Sequence, residues 1–457
     1  MNDIKPITPL FSYQLEGVNR LEHVKVGALF MEQGTGKTRT ALELISRRMI
    51  ARKVTKVLWL CPCTVKENLR NDIIKHCGGF PGGILIVGIE SLSASAREVQ
   101  RCLTYVDEQT YLIVDESLLV KNPRALRTRR IIQLSEKARY KLILNGTPIS
   151  RTEADLFSQF YILDKRIFGY ESYWSFAANH LEIDETGRVV RALNTGYLVK
   201  KAKPYVFQVK KDDVMSLPYK VYHTAIYDLS ELSEEEYMVK GELFLGTVDE
   251  FKPETLYRLF TVLQLIVSGK RIVSKVSEPI RSEDMFTNPM DNPRIQCCLW
   301  QIEHGIGKEK TIIFCKYSDE IRNLVYVLNI VYGDGAAAAF YGDISVKKRD
   351  MIISEFRDGG TQFLVANKTC AGFGLNLQFC HKIIFYSNDW DYATRVQAED
   401  RVHRIGQTSV CDIYDIIADN KLDEKIIRCL SRKENLLDSF KKEIHSQTNL
   451  KEWLGVK

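Results

Sequence analysis

The sequence predicts an α/β protein of two parallel-sheet domains with a largely helical stretch between them, and three observations carry that expectation. At 457 residues the chain exceeds what one hydrophobic core usually fills. Short apolar runs alternate with helical segments in each half, the pattern of strands that return through helices to lie parallel. Finally, VGALFMEQGTGKTRTAL, from Val26 to Leu42, sets a glycine turn between an apolar run and a helix former.

That order of strand, turn and helix is the context in which Gly-Lys-Thr means phosphate. Gly34, Thr35 and Gly36 let backbone N–H groups converge on one anion. Lys37 adds a point charge for the β- and γ-phosphates, and Thr38 offers its hydroxyl to Mg²⁺. Met31 stands where the strict pattern asks for a first glycine, so the match needs support from the rest of the chain.

Composition bounds the answer further. A hydrophobic fraction of 45% with 27% charged residues belongs to a soluble globular protein. No apolar run approaches the ~20 residues of a membrane span, and MNDIKPITPL lacks the regions of a signal peptide, so a cytoplasmic protein with no membrane partner is expected. Eleven cysteines without paired C-x-x-C spacing read as buried thiols in a reducing compartment. Lys and Arg total 64 against 58 Asp and Glu, a net +6 that permits polyanion binding without demonstrating it.

Taken in order, residues Pro9 to Val24 form an amphipathic helix, in which Gln14 carries an amide able to donate to and accept from an adenine edge. Lys56 to Cys61, Ile84 to Val87 and Tyr111 to Val114 read as buried strands. The last runs into Asp115-Glu116, on the edge of a parallel sheet where ligands sit. There Asp115 would hold Mg²⁺ and Glu116 would orient the attacking water. A further strand, Lys141 to Leu144, leads into Asn145-Gly146-Thr147-Pro148, a ligand edge or a plain loop.

From 168 to 273 buried β-runs become scarce and helix formers take over, so the expectation is a helical insertion behind a first domain of 1–167. Its Lys200, Lys201, Lys203, Lys210 and Lys211 form either a solvated face or a phosphate contact. The polar, proline-rich stretch 274–293 suits a linker, and 294–457 a second domain. Strands are expected there at Thr311 to Phe314, Ala336 to Phe340, Thr361 to Val365, Lys382 to Tyr386 and Asp412 to Ile417. That half lacks a phosphate loop but carries QAEDRVHRIGQ, from Gln397 to Gln407, with Arg401 and Arg404 three apart as on one helical face. Planar guanidinium groups suit phosphate oxygens, so this domain is expected to supply them to a nucleotide held by the first.

These pieces in this order resemble the SNF2 (Swi2/Snf2) branch of the superfamily 2 helicase-like ATPases, over nearly the whole chain. FSYQLEGV resembles the family's adenine-sensing segment, MEQGTGKT its phosphate loop, VDESLLVKN its acidic box, and LNGTPISRTEADLFSQFYIL the segment that reads nucleotide state. QAEDRVHRIGQ is the sharpest match, ending in Gln407 as in SNF2 translocases. There are departures: Leu118 replaces the histidine of the DEAH form, KTCAGFGLNL alters the usual opening, and Trp390-Asp391-Tyr392 keeps only the tryptophan.

The resemblance implies two RecA-like domains and a monomeric, DNA-stimulated ATPase that uses ATP and Mg²⁺ and walks on double-stranded DNA. It implies catalytic roles for Gln397, Arg401 and Arg404 beside Lys37, Thr38, Asp115 and Glu116, with Gln14 and Gly374 among the nucleotide contacts. Thr64, Lys66, Thr369 and Asn376 become candidates for the nucleic-acid backbone. It also implies a bare motor of bacterial or viral type, with a protein partner in replication, recombination or transcription. Two other readings stay open: a strand-separating helicase acting on DNA or RNA, and a weakly hydrolysing clamp or adaptor gated by nucleotide.

Overall fold

The computed structural model describes residues 4–146, 148–149, 152–183, 189–214, 217–246, 253–342, 344, 346–367, 377–390, 392–432, 436 and 447–456. The chain divides into two compact units, Met1–Ser216 and Leu217–Lys457, each built on one six-stranded parallel sheet.

In the first unit the strands are β1 (Val26–Met31), β2 (Lys56–Cys61), β3 (Ile84–Gly88), β4 (Thr110–Val114), β5 (Tyr140–Asn145) and β6 (Val206–Val209). Their order across the sheet is β3-β2-β4-β5-β1-β6, with every pairing parallel. Successive side chains take opposite faces, and both faces are covered. Ala28, Phe30, Leu58, Leu60, Leu112 and Val114 pack with helices Leu126–Lys137 and Ala154–Asp164. Leu29, Met31, Val57, Trp59, Tyr111 and Ile113 pack with helices Ser12–Leu21, Lys37–Ile50 and Lys66–Cys77. Burial on both sides is why these strands read as unbroken apolar runs.

The second unit repeats the plan with β7 (Lys220–Tyr227), β8 (Thr311–Cys315), β9 (Ala337–Phe340), β10 (Phe363–Asn367), β11 (Lys382–Phe385) and β12 (Cys411–Ala418), ordered β9-β10-β8-β11-β12-β7. Each unit is thus an α/β domain built on a parallel sheet.

The largest departures from the sequence reading lie between 168 and 293. No separate insertion spans 168–273, because its first part joins the first sheet through β6 and its later part joins the second through β7. Helices Glu231–Leu245 and Pro253–Val267 bury Tyr237, Phe244, Leu259, Phe260 and Leu263 in the core of the second unit. The stretch 274–293 does not connect the units either. It closes a two-stranded ribbon, Lys270–Ile272 with Ser282–Asp284, tied by a 2.6 Å bond from Lys270 Nζ to Asp284 Oδ1, and ends where Asn292 caps helix Pro293–Gln301.

The terminal segment packs on the second unit. Tyr237 OH donates to the Leu454 carbonyl at 3.0 Å, and Trp453 stacks on Phe260 with centroids 5.9 Å apart. Among the described residues no helix is long and apolar enough to cross a membrane.

Candidate nucleotide site

Because the first sheet is parallel, β4, β5 and β1 end side by side, and their carboxyl ends carry Asp115-Glu116, Asn145 and the glycine turn. Gly34 and Gly36 adopt φ values of 83° and 85°, which residues with a Cβ rarely tolerate, so the turn depends on glycine at both positions. Gly36 then caps helix Lys37–Ile50, whose first amides have no partner within the helix and face the turn.

The turn is held from behind. Tyr13 OH and Gln14 Nε2 both donate to the Thr35 carbonyl at 3.0 Å, and Gln14 Oε1 accepts from the Phe11 amide at 3.0 Å. A Cβ on Gly36 would meet Gln14 Nε2 at 2.2 Å. Gln14 is therefore buried against the loop, supporting its shape. Glu32, the first loop residue, is anchored from the other side. Its amide donates to the Val209 carbonyl at 3.1 Å, and its carboxylate accepts from the Lys211 amide at 2.8 Å. This takes Lys211 out of the basic cluster, since it is buried while Lys200, Lys201, Lys203 and Lys210 are exposed.

Lys37 Nζ donates to the Met31 carbonyl at 2.9 Å, folding the ammonium over its own loop. The Asp115 amide donates to the Leu60 carbonyl at 2.8 Å, and Asp115 Oδ1 accepts from the Glu116 amide at 2.9 Å. Burial and the Glu116 carboxylate raise Asp115 well above the usual carboxylate range, and the Lys37 ammonium pulls it part of the way back. Two crowded carboxylates within reach of one lysine leave room for more positive charge. The Thr38 hydroxyl and the Asp115 carboxylate are hard oxygen donors, so these residues fit Mg²⁺ shared with phosphate oxygens.

Glu116 itself sits at φ 48°, ψ 53°, a left-handed conformation unusual for a non-glycine residue. The short helix Ser117–Val120 follows it at once. Ser117 is fully buried. Its hydroxyl accepts from Asn145 Nδ2 at 3.4 Å and donates to Gln159 Oε1 at 2.6 Å. Gln159 Nε2 donates in turn to the carbonyls of Pro148 and Asp155 at 2.8 and 2.7 Å. Leu118 stands where the DEAH form has its histidine, and Ser117, one residue earlier, links the acidic box to Asn145. Neither Ser117 nor Gln159 was singled out from sequence. The signal was a hydroxyl and an amide at otherwise apolar positions, one beside the acidic pair and the other on the helix behind it.

Thr64 and Lys66 are exposed just beyond β2, on this same edge. In the second unit, helix Tyr392–Glu399 presents an exposed Gln397 but ends before the arginines. Arg401 and Arg404 lie in the turns that follow it, both partly buried, and do not share a helical face as their spacing suggested. The Leu377 amide donates to the Arg401 carbonyl at 3.0 Å. Gln407 is structural: its Nε2 donates to the Cys380 carbonyl at 2.9 Å, and its Oε1 accepts from the amides of Thr408 and Ser409. Thr147, Thr369, Gly374 and Asn376 lie outside the described residues.

Residues 79–278 match the family model described as SNF2-related domain, and residues 294–406 match that described as helicase conserved C-terminal domain. An uncharacterized ATP-dependent helicase of Mycoplasma genitalium is 25% identical over 95% of this chain and 42% of its own. The TATA-binding protein-associated factor MOT1 of Saccharomyces cerevisiae is 22% identical over 93% of this chain and 27% of its own. A Saccharomyces cerevisiae DNA repair and recombination protein is 24% identical over 78% of this chain and 40% of its own. The chain thus spans less than half the length of each of these relatives. With its phosphate turn and acidic box on neighbouring strand ends, and the two family models together matching about two thirds of its length, the chain belongs to the SNF2 family of helicase-like proteins.

Proposed function

We propose that the chain hydrolyses ATP and couples the cycle to movement along double-stranded DNA, displacing proteins bound there. The observation that carries the reading is the meeting of the glycine turn and Lys37 with the Asp115-Glu116 pair at one sheet edge, close enough for the lysine's charge to act on Asp115. A triphosphate on the turn would take its contacts from the helix-terminal amides and from Lys37. Thr38 and Asp115 would hold Mg²⁺, which when bound supplies positive charge to the phosphate oxygens. Glu116 orients the attacking water, and Gln14 serves the adenine end of the pocket while bracing the loop.

Gln397, Arg401 and Arg404 are assigned to the transferred phosphate, the arginines as guanidinium donors. On the nucleic-acid side, Thr64 and Lys66 of the first unit, with Thr369 and Asn376 of the second, are assigned to the phosphate backbone. Such contacts are largely indifferent to base sequence. The relatives' names support the two kinds of partner: one is a DNA repair and recombination protein and another associates with a TATA-binding protein. DNA is accordingly the proposed track, with a protein partner in replication, recombination or transcription.

The deciding experiment measures ATP turnover with and without duplex DNA, beside displacement of a third strand from a triplex. Turnover stimulated by duplex, with the third strand stripped and the duplex left paired, is expected. Separated duplex strands would instead make the protein a strand-separating helicase. ATP-gated DNA binding without turnover would make it a clamp.

A further inference from the structure

We infer that Ser117 and Gln159 are positioning residues that hold Glu116 in its left-handed conformation, and so set the orientation of the water-directing carboxylate. The inference rests on the ATPase reading and adds to it two side chains that touch neither nucleotide nor metal.

A non-glycine residue stays in the left-handed region only where its surroundings over-determine it. Glu116 lies between two fixed points. On its N-terminal side Asp115 is pinned by its amide to the Leu60 carbonyl, inside the sheet. On its C-terminal side the next residue is Ser117, whose side chain is wholly buried and has its single proton committed to Gln159 Oε1 at 2.6 Å. The Leu119 amide closes the turn by donating to the Glu116 carbonyl at 2.9 Å.

Gln159 is equally committed. Both of its amide protons are given to backbone carbonyls, one of them Pro148 in the segment after β5 and the other Asp155 in its own helix. Donation therefore runs one way, from Asn145 to Ser117, from Ser117 to Gln159, and from Gln159 to the backbone. Flipping the Gln159 amide breaks all three of these bonds and can regain only one, from Nε2 to the Ser117 hydroxyl. A shift of helix Ala154–Asp164 or of the segment after β5 must consequently pass to Ser117 and to the backbone of Glu116. Conversely, a change at the acidic turn is felt at Pro148. The relay couples the catalytic turn to that helix with no charged group in it.

The test is a cycle of Ser117→Ala, Gln159→Leu and the double variant, with kcat and KM for ATP measured beside thermal melting and the affinity of a fluorescent ATP analogue. Each single variant leaves a buried polar atom of the Ser117–Gln159 pair without its partner, whereas the double variant removes that pair and loses only the outer bonds, from Asn145 and to the Pro148 and Asp155 carbonyls. The two losses in melting are therefore expected to be less than additive in the double variant. The proposal expects kcat to stay about tenfold down in all three, with KM and analogue affinity unchanged, since the relay acts as one unit. A folded double variant that turns over at the wild-type rate would overturn it. If the double variant does not fold, Ser117→Ala decides alone: a lowered kcat at constant KM supports the proposal, and an unchanged kcat overturns it. A wild type without turnover would strike the ATPase reading instead, so the two failures are distinct.

Discussion

The two sheets share one architecture, and their carboxyl edges are finished in opposite ways. In the second unit the edge groups satisfy one another. Lys316, just after β8, donates to Gln264 Oε1 at 2.6 Å and lies 3.5 Å from the centre of the Trp390 ring. Glu320 accepts from the hydroxyls of Ser268 and Ser387, each at 2.6 Å, and buried Arg294 pairs with Asp423 at 2.8 Å. Arg395 binds Asp415 through two nitrogens and lies 3.4 Å from the centre of the Phe385 ring. In the first unit the corresponding edge holds two crowded carboxylates and a lysine resting on a backbone carbonyl. A parallel sheet fixes where strand ends lie and leaves open what they do. Groups that complete one another there hold the fold, and groups left in tension await a ligand.

The contrast breaks most decisively at Lys37. Lys37→Ala should reduce ATP turnover to background while leaving the melting temperature nearly unchanged, because the bond lost is a single one to the Met31 carbonyl of a loop. Turnover at the wild-type rate in that variant would remove the nucleotide from the first unit's edge. Arg404→Ala comes next, with duplex-stimulated turnover expected to fall about 10³-fold and ATP-analogue binding retained. Stimulation that survives the substitution would return Arg404 to the second unit's structural groups.

The same contrast explains what could be read from the sequence. Strands buried on both faces, such as Lys56–Cys61 and Thr311–Cys315, announce themselves as apolar runs, and they were located to within a residue or two. The edge strands β6 and β7 were not. VFQV has four residues, and KVYHTAIY leaves Tyr222 and Ile226 more than half exposed, so neither forms a run. Missing them turned the ends of two sheets into an imagined insertion. At the site, residues whose chemistry is distinctive, Gly36, Lys37, Asp115 and Glu116, were legible. Ser117 and Gln159 were not, because a buried hydroxyl or amide has a role only through its partner, and those two lie 42 positions apart. Arg401 and Arg404 were expected on one helical face and lie beyond the helix instead, since nothing in their spacing marks its end at Glu399.

Lys316 sharpens the comparison from the second unit's side. Burial pulls its ammonium down from the ordinary lysine value to about 8, against the opposing pull of Asp389, Glu320 and Asp423. The folded protein therefore holds fewer protons than the unfolded chain between about pH 8 and pH 10.5. Stability from this group rises with pH across that window, and the penalty for burying the charge is fully present below it. Lys316→Met removes the titration. The difference in unfolding free energy between wild type and variant should thus shift in favour of the wild type by about 3 kcal/mol from pH 7.5 to pH 10.5. Denaturant melts at several pH values measure it. A difference independent of pH would mean that Lys316 remains an ordinary solvated amine.

The smallest effect concerns the exposed rim of the first unit's edge, where Lys66 opens helix Lys66–Cys77 and Thr64 precedes it. A lysine that neutralises one DNA phosphate releases its condensed counterions on binding. Lys66→Ala should then lower the slope of log affinity against log salt by about 0.9 without changing preference among DNA sequences. Thr64→Ala removes a neutral hydroxyl, so it should weaken binding with the slope intact. Titrations of a random-sequence duplex between about 50 and 200 mM salt separate the two. If both variants left affinity and slope unchanged, the DNA track would not run over this rim, and the charge carrying it would have to be sought among Lys200, Lys201 and Lys203, exposed at the other end of the same unit's sequence.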